Sequence, residues 1–167
     1  MSDAMRKTRG FSLIEVLIAT ILVGMAIAAL MAANSSFTMA NDAGSDLSTA
    51  EFLIEQIREL TMLLPLVDPD ASTWTVLGPE SGEADVSAYD DVDDFDGATF
   101  SPPINSDRAP LTDFTTFSQQ VTVEKLNPSN FNEVWVDSTN SGFVRITVRV
   151  LQNGGEISSA TWIRARY

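Results

Sequence analysis

Two stretches of this sequence hold side chains that could do chemistry. The first is "RGFSLIEV" (9–16), in which one acid, Glu15, sits inside an otherwise uncharged apolar run that follows Arg6, Lys7, Arg9 and Gly10. A carboxylate at that depth costs a few kcal/mol to insert in a bilayer and marks function more often than it marks chance. The chemistry open to it is ionic, the neutralisation of a cation in apolar surroundings, because an unpaired charge there is costly and a pair is tolerated. The second stretch is "GPESGEADVSAYDDVDDFDG" (78–97), with eight carboxylates in the seventeen residues from Glu80 to Asp96. So many acids repel one another unless a cation neutralises them, and a hard cation such as calcium takes six to eight oxygen ligands.

Other chemistries are excluded or weakened by composition. The chain has no cysteine and no histidine. Disulfides, thiolate metal sites and cysteine nucleophiles are therefore absent, as is the commonest general base. A serine nucleophile would need a lysine base, and beyond residue 10 the chain has only Lys125. Paired carboxylates such as Asp93 and Asp96 suit glycoside hydrolysis in principle, but no apolar wall that would raise one pKa is evident beside them. Catalysis is not expected. The formal charge of −13 lacks the basic footprint that nucleic acid requires. That charge is unevenly spread: no Lys or Arg lies between Arg58 and Arg108, while Lys125, Arg145, Arg149, Arg164 and Arg166 fall in the last 45 positions. A surface polarised in this way would favour head-to-tail contact between copies, and a solvated acidic loop beside an ordinary sheet accounts for it equally well.

The elements that must position these groups begin with residues 11–33, which have the length of a bilayer-spanning helix. A secretory signal would have a shorter apolar region and a small-residue cleavage site at its far end, whereas here the apolar run continues to Ala33. A plain anchor explains the basic flank by the positive-inside rule but leaves Glu15 unexplained. The stretch "RGFSLIEVLIATILVGMAIAAL" (9–30) closely resembles the N-terminus of type IV prepilins and type II secretion pseudopilins. That resemblance implies a leader, residues 1–10, cut by a membrane-embedded prepilin peptidase between Gly10 and Phe11, with N-methylation of Phe11. It also implies that Glu15 is the family glutamate, which meets the new Phe11 ammonium of a neighbouring subunit and sets the register between helices. The partners so implied are other pilin or pseudopilin subunits, the peptidase, an inner-membrane assembly platform and membrane lipid.

From Leu47 the apolar residues Ala50, Leu53, Ile54, Ile57, Leu60 and Leu64 recur at helical spacing, and Pro65 supplies a stop. Residues 34–65 are thus expected to form an amphipathic second half of the helix. "NSSFTMANDAGSD" (34–46) is a weak helix former and predicts a bend or loosened turns. Residues 66–167 read as a strand-rich head carrying an acidic connection over 78–111. Strands are expected at 72–78, 117–126, 132–137, 143–151 and 156–166. In "FVRITVRVL" (143–151), Val144, Ile146, Val148 and Val150 alternate with polar residues, and "NGG" (153–155) is a hairpin turn. The fold class is α+β, an antiparallel sheet laid on the second half of a long helix, which is also the pilin fold that the resemblance implies.

Within the acidic connection, Asp91, Asp93, Asp94 and Asp96 are the candidate calcium ligands, although their spacing does not register on an EF-hand loop. The alternative is a solvated loop held by turns, by Arg108 or by a neighbour's arginines. "GPESGE" and "DDVDDFDG" resemble an element of minor pilins of the mannose-sensitive haemagglutinin type, the D-subunit class, which implies a low-abundance subunit that starts or caps a filament. Many major pilins carry a C-terminal disulfide loop, which this chain lacks, so the resemblance points to a minor pilin or pseudopilin. The expected location is the bacterial inner membrane with a periplasmic head, and afterwards a filament. The rival reading is a membrane-anchored periplasmic module that binds calcium or another ligand and needs no processing.

Overall fold

The structure is a computed structural model that describes residues 10–68, 76–136 and 141–166. It divides into two compact units at Gly44/Ser45, and each is described by itself. Helix α1, Leu13–Met62, contributes to both.

In the first unit the apolar residues of α1 point outward on all sides. Leu13, Ile14, Val16, Leu17, Ile18, Ile21, Leu22 and Val23 are all exposed. A helix that is apolar all round is stable only when something else covers it, a bilayer or other helices. This segment is long and apolar enough to cross a membrane, and none of its apolar window is buried within the molecule. The loosened turns expected over 34–46 are not formed, since α1 runs through them. The hydroxyls of Ser36 and Thr38 donate to the carbonyls of Ala32 (3.1 Å) and Asn34 (3.2 Å), so these weak helix formers bond along the helix instead of competing with it.

In the second unit α1 buries one stripe. Ala50, Leu53, Ile54, Ile57 and Leu60 are buried, as their spacing predicts, and α1 ends at Met62, three residues before Pro65. The stripe packs on an antiparallel sheet formed by β1 (Thr99–Phe100), β2 (Phe117–Asn127), β3 (Asn130–Val134), β4 (Phe143–Gln152) and β5 (Gly155–Ala165). The order is β1-β2-β4-β5, with β3 paired to β2. Val144, Ile146, Val148 and Val150 of β4 are each 0 % exposed, the inward face that alternation requires. Burial of each such side chain contributes about 1.5–3 kcal/mol. β4 and β5 are joined through Asn153 (φ 50°) and Gly154 (φ 84°). Positive φ at both turn residues matches the twist of the flanking strands.

Polar ties fix the helix against the sheet. Gln119 of β2 is fully buried; its Nε2 donates to the carbonyls of Leu53 (2.8 Å) and Ile104 (3.1 Å), and its Oε1 accepts from the Ile104 amide (2.8 Å). Arg164 of β5 donates to the carbonyls of Thr61 and Leu64 at the end of α1, where no basic residue lies in the helix's own last turn. A cation there complements both the unpaired carbonyls and the helix dipole.

The strand expected at 72–78 lies mostly outside the described residues, and Val76–Gly78 are not in a strand. The connection 78–111 is more structured than its composition suggests. It holds β1, a 3-10 turn at Asp93–Phe95 and a bridge between Ile104 and Pro110.

Candidate functional site

Two sets of side chains carry the chemistry. The first lies at the start of α1. Ser12 precedes the first helical residue, and its Oγ accepts from the Glu15 amide (3.3 Å). Glu15 answers: its carboxylate accepts from the Ser12 amide (2.8 Å) and the Ser12 hydroxyl (3.0 Å). This reciprocal pair is a capping box, which satisfies amides that the first turn would otherwise leave bare and puts a negative charge at the positive end of the helix. The signal was in the sequence as Ser-x-x-Glu ahead of an apolar run, and the reading of Glu15 as a lone acid overlooked it. Beside the box, Phe11, Glu15, Val16, Ala19, Thr20 and Val23 line an open, largely apolar groove. Gly10 and Phe11 are exposed and lie ahead of the helix. The leader upstream of Gly10 lies outside the described residues.

The second set is in the acidic connection. The expectation of a solvated loop fails here: Asp91, Asp93 and Asp94 are at most 1 % exposed. The cause is apolar, because Val92 and Phe95 enter the core between them and Phe95 meets Tyr89 (5.1 Å) and Phe100 (6.2 Å) edge-on. Arg108 does reach the loop, but it donates to the Ser87 carbonyl (3.0 Å). Asp91 and Asp94 hold each other's turn. Asp91 Oδ1 accepts from the amides of Asp93 (2.8 Å) and Asp94 (3.3 Å), and Asp94 Oδ2 accepts from those of Asp90 (2.9 Å) and Asp91 (3.2 Å). Their second oxygens, Asp91 Oδ2 and Asp94 Oδ1, are buried without a hydrogen-bond donor.

Of the four acids expected as calcium ligands, the structure brings together Asp91 and Asp94. Carboxylate oxygens converge to within 4.8 Å in two groups, Glu80–Glu83–Asp94 and Asp90–Asp91–Asp94. Neither group contains Asp93, which lies beside Asp91, or Asp96, whose Oδ1 accepts the Val123 amide (2.8 Å) and ties the loop to β2. Glu80 and Glu83 were not among the expected ligands. Burial, with the Asp93 carboxyl beside it, pushes the Asp91 carboxyl up to about 8. Burial also raises Asp94 to about 6, and burial with the carboxylates of Glu83, Asp91 and Asp94 around it raises Glu80 to about 7. These groups face one another, and among the described residues no basic side chain lowers them.

Of the five C-terminal basic residues, four are engaged within the head. Lys125 is fully buried, Arg145 pairs with Glu124 (3.2 Å), Arg149 Nε donates to Glu156 (2.7 Å) and Arg164 holds the end of α1. Burial also puts Lys125, the one candidate base for a serine nucleophile, out of reach of substrate.

Comparison with known proteins bears on the first set. Residues 5–33 match the family model of the prokaryotic N-terminal methylation motif. The N-terminus carries this motif, which supports a type IV pilin-like precursor. The match spans the basic flank, the Gly10–Phe11 junction, Glu15 and the apolar helix, the same residues that carried the resemblance. No curated protein and no solved structure matches the chain. The pilin-like motif implies processing by prepilin peptidase and assembly with other pilins, and together with the apolar helix it supports anchoring in a membrane. A structural subunit, rather than an enzyme, is what such a motif marks.

Proposed function

We propose that the chain is a minor pilin or pseudopilin, processed between Gly10 and Phe11 and drawn through its N-terminal helix into a type IV pilus or type II secretion filament. The observation that carries this reading is the methylation motif on a helix whose apolar residues find no cover inside the molecule. In the precursor, Glu15 is held by Ser12 next to the groove that starts at Phe11. Cleavage creates an α-amino group on Phe11, a cation near neutral pH. In a bundle of such helices the Glu15 carboxylate of one subunit neutralises that ammonium on the next. A buried polar pair of this kind specifies register more than it adds stability. Small residues, Ala19, Gly24 and Ala28, permit close approach of neighbouring helices. The absence of cysteine favours a minor subunit or pseudopilin over a disulfide-looped major pilin. The head then faces the periplasm, and the partners are sibling subunits, prepilin peptidase and the inner-membrane platform.

Intact mass of the protein extracted from its native membrane tests the reading. The expected product begins at Phe11, lighter by residues 1–10 and heavier by one methyl group. A protein that retains Met1–Gly10 would instead be the simple membrane-anchored binding module.

A further inference from the structure

We propose that the head holds one calcium ion against Asp94, with Asp91 and Asp90 supplying oxygens on one side and Glu80 and Glu83 on the other. Two independent observations meet there. The first is convergence: in both three-carboxylate groups the oxygens lie within 4.8 Å of one another, and Asp94 belongs to both. Ligands across a calcium ion at 2.3–2.6 Å are separated by roughly that distance. The second is the pair of bare oxygens. Asp91 and Asp94 are each 0 % exposed, each is fixed by two backbone amides on one oxygen, and each leaves the other oxygen buried with no donor. A buried carboxylate oxygen without a donor is costly, and a fold keeps it when a cation satisfies it.

The amide bonds also pre-organise the site. They lock the rotamers of Asp91 and Asp94 before any ion arrives, so little ordering remains to be done on binding. Glu83 is positioned in the same way, with its Oε2 accepting the Glu80 amide (3.0 Å). An all-oxygen, carboxylate-rich set drawn from a turn suits calcium, which tolerates irregular geometry, better than magnesium, which demands a near-ideal octahedron and keeps its waters. Binding would fasten the connection onto the core through Val92 and Phe95, which lie between the ligands.

The inference concerns the head alone, so it stands or fails separately from processing at Gly10. The test is calorimetry of the full chain in detergent, stripped with chelator and then titrated with calcium chloride. One ion per chain is expected, with the melting temperature of the head raised by about 5 °C or more at a hundredfold excess over Kd. Asp94→Asn and Glu83→Gln should each remove most of the shift. Glu83 is only half-buried and outside the core, so that variant reports even where Asp94→Asn folds poorly. Asp96→Asn, outside the cluster, should keep the full shift. An unchanged melting temperature with calcium, an undiminished shift in Glu83→Gln, or a response to magnesium as large as that to calcium would each overturn the proposal.

Discussion

Glu15 and the pair Asp91–Asp94 are acids in surroundings that penalise charge, and the chain provides for them in opposite ways. Glu15 stands on an exposed helix, and its carboxylate is occupied by the amide and hydroxyl of Ser12, three residues away. Asp91 and Asp94 are inside the head, where amides take one oxygen of each and leave the other bare. Local donors are enough while an acid stays in contact with water. Once burial is complete, further ligands must come from outside the turn. On the proposals made above, the partner of the N-terminal acid comes from assembly and that of the head acids from solution.

The contrast breaks most sharply at Glu15. Glu15→Leu should still insert in the membrane and still be cut after Gly10, but it leaves the Phe11 ammonium unpaired in the filament core. Removing one partner of a buried pair costs about 3–5 kcal/mol, which is at least a hundredfold in subunit affinity. Filament yield, measured by sedimentation of sheared fibres against total membrane protein, should collapse accordingly. Wild-type yield from the leucine variant would mean that the two acid sites do not differ as described.

A smaller effect is expected from pH at the other site. Asp91, Glu80 and Asp94 have folded-state values raised to about 8, about 7 and about 6 from ordinary carboxylate values near 4. A raised acid favours the fold most while it is protonated, so its contribution is complete below about pH 4 and is lost progressively as pH rises through 6 to 8. With chelator present, the melting temperature of the head should therefore fall by several degrees between pH 5 and pH 8. A flat or rising profile over that window would show that these carboxylates are not held as described.

The smallest effect sharpens the description of Glu15. Ser12→Ala removes the hydroxyl of the capping box, worth about 1 kcal/mol of local helix stability. Amide exchange at the first turn, Leu13–Val16, should quicken by about fivefold in detergent micelles, with exchange in the head unchanged. Equal protection in both proteins would show that the cap does not hold the helix start.

Much of this architecture was legible because it is local. The alternation of Val144, Ile146, Val148 and Val150, the Asn-Gly-Gly turn and the stripe Leu53–Ile57–Leu60 each follow from neighbours in sequence. The N-terminal methylation motif over residues 5–33 was legible for the same reason. The capping box is equally local, since it needs only the three-residue spacing of Ser12 and Glu15. What could not be read depends on distant partners. Nothing near Gln119 announces that it will bond Leu53 and Ile104, and nothing in "DDVDD" says that Val92 will carry its acidic neighbours inside. Lys125 and Arg164 looked like surface charge until the sheet buried one and turned the other onto the end of α1. The helix persists through 34–46 although the propensities there are poor, because helical segments flank it on both sides and the hydroxyls of Ser36 and Thr38 find acceptors without leaving the helix.

The grip of Arg164 on the last carbonyls of α1 joins residues 103 and 100 positions apart. In a chain made residue by residue, that helix end comes early and the residue that closes it comes late. Until β5 is in place, the last carbonyls of α1 lack the guanidinium that caps them, and that end is held by the Thr61 hydroxyl and by packing of Leu60. Closure of this end of the helix therefore depends on the last strand being in place, a long-range contact whose loop must be ordered before it stabilises anything.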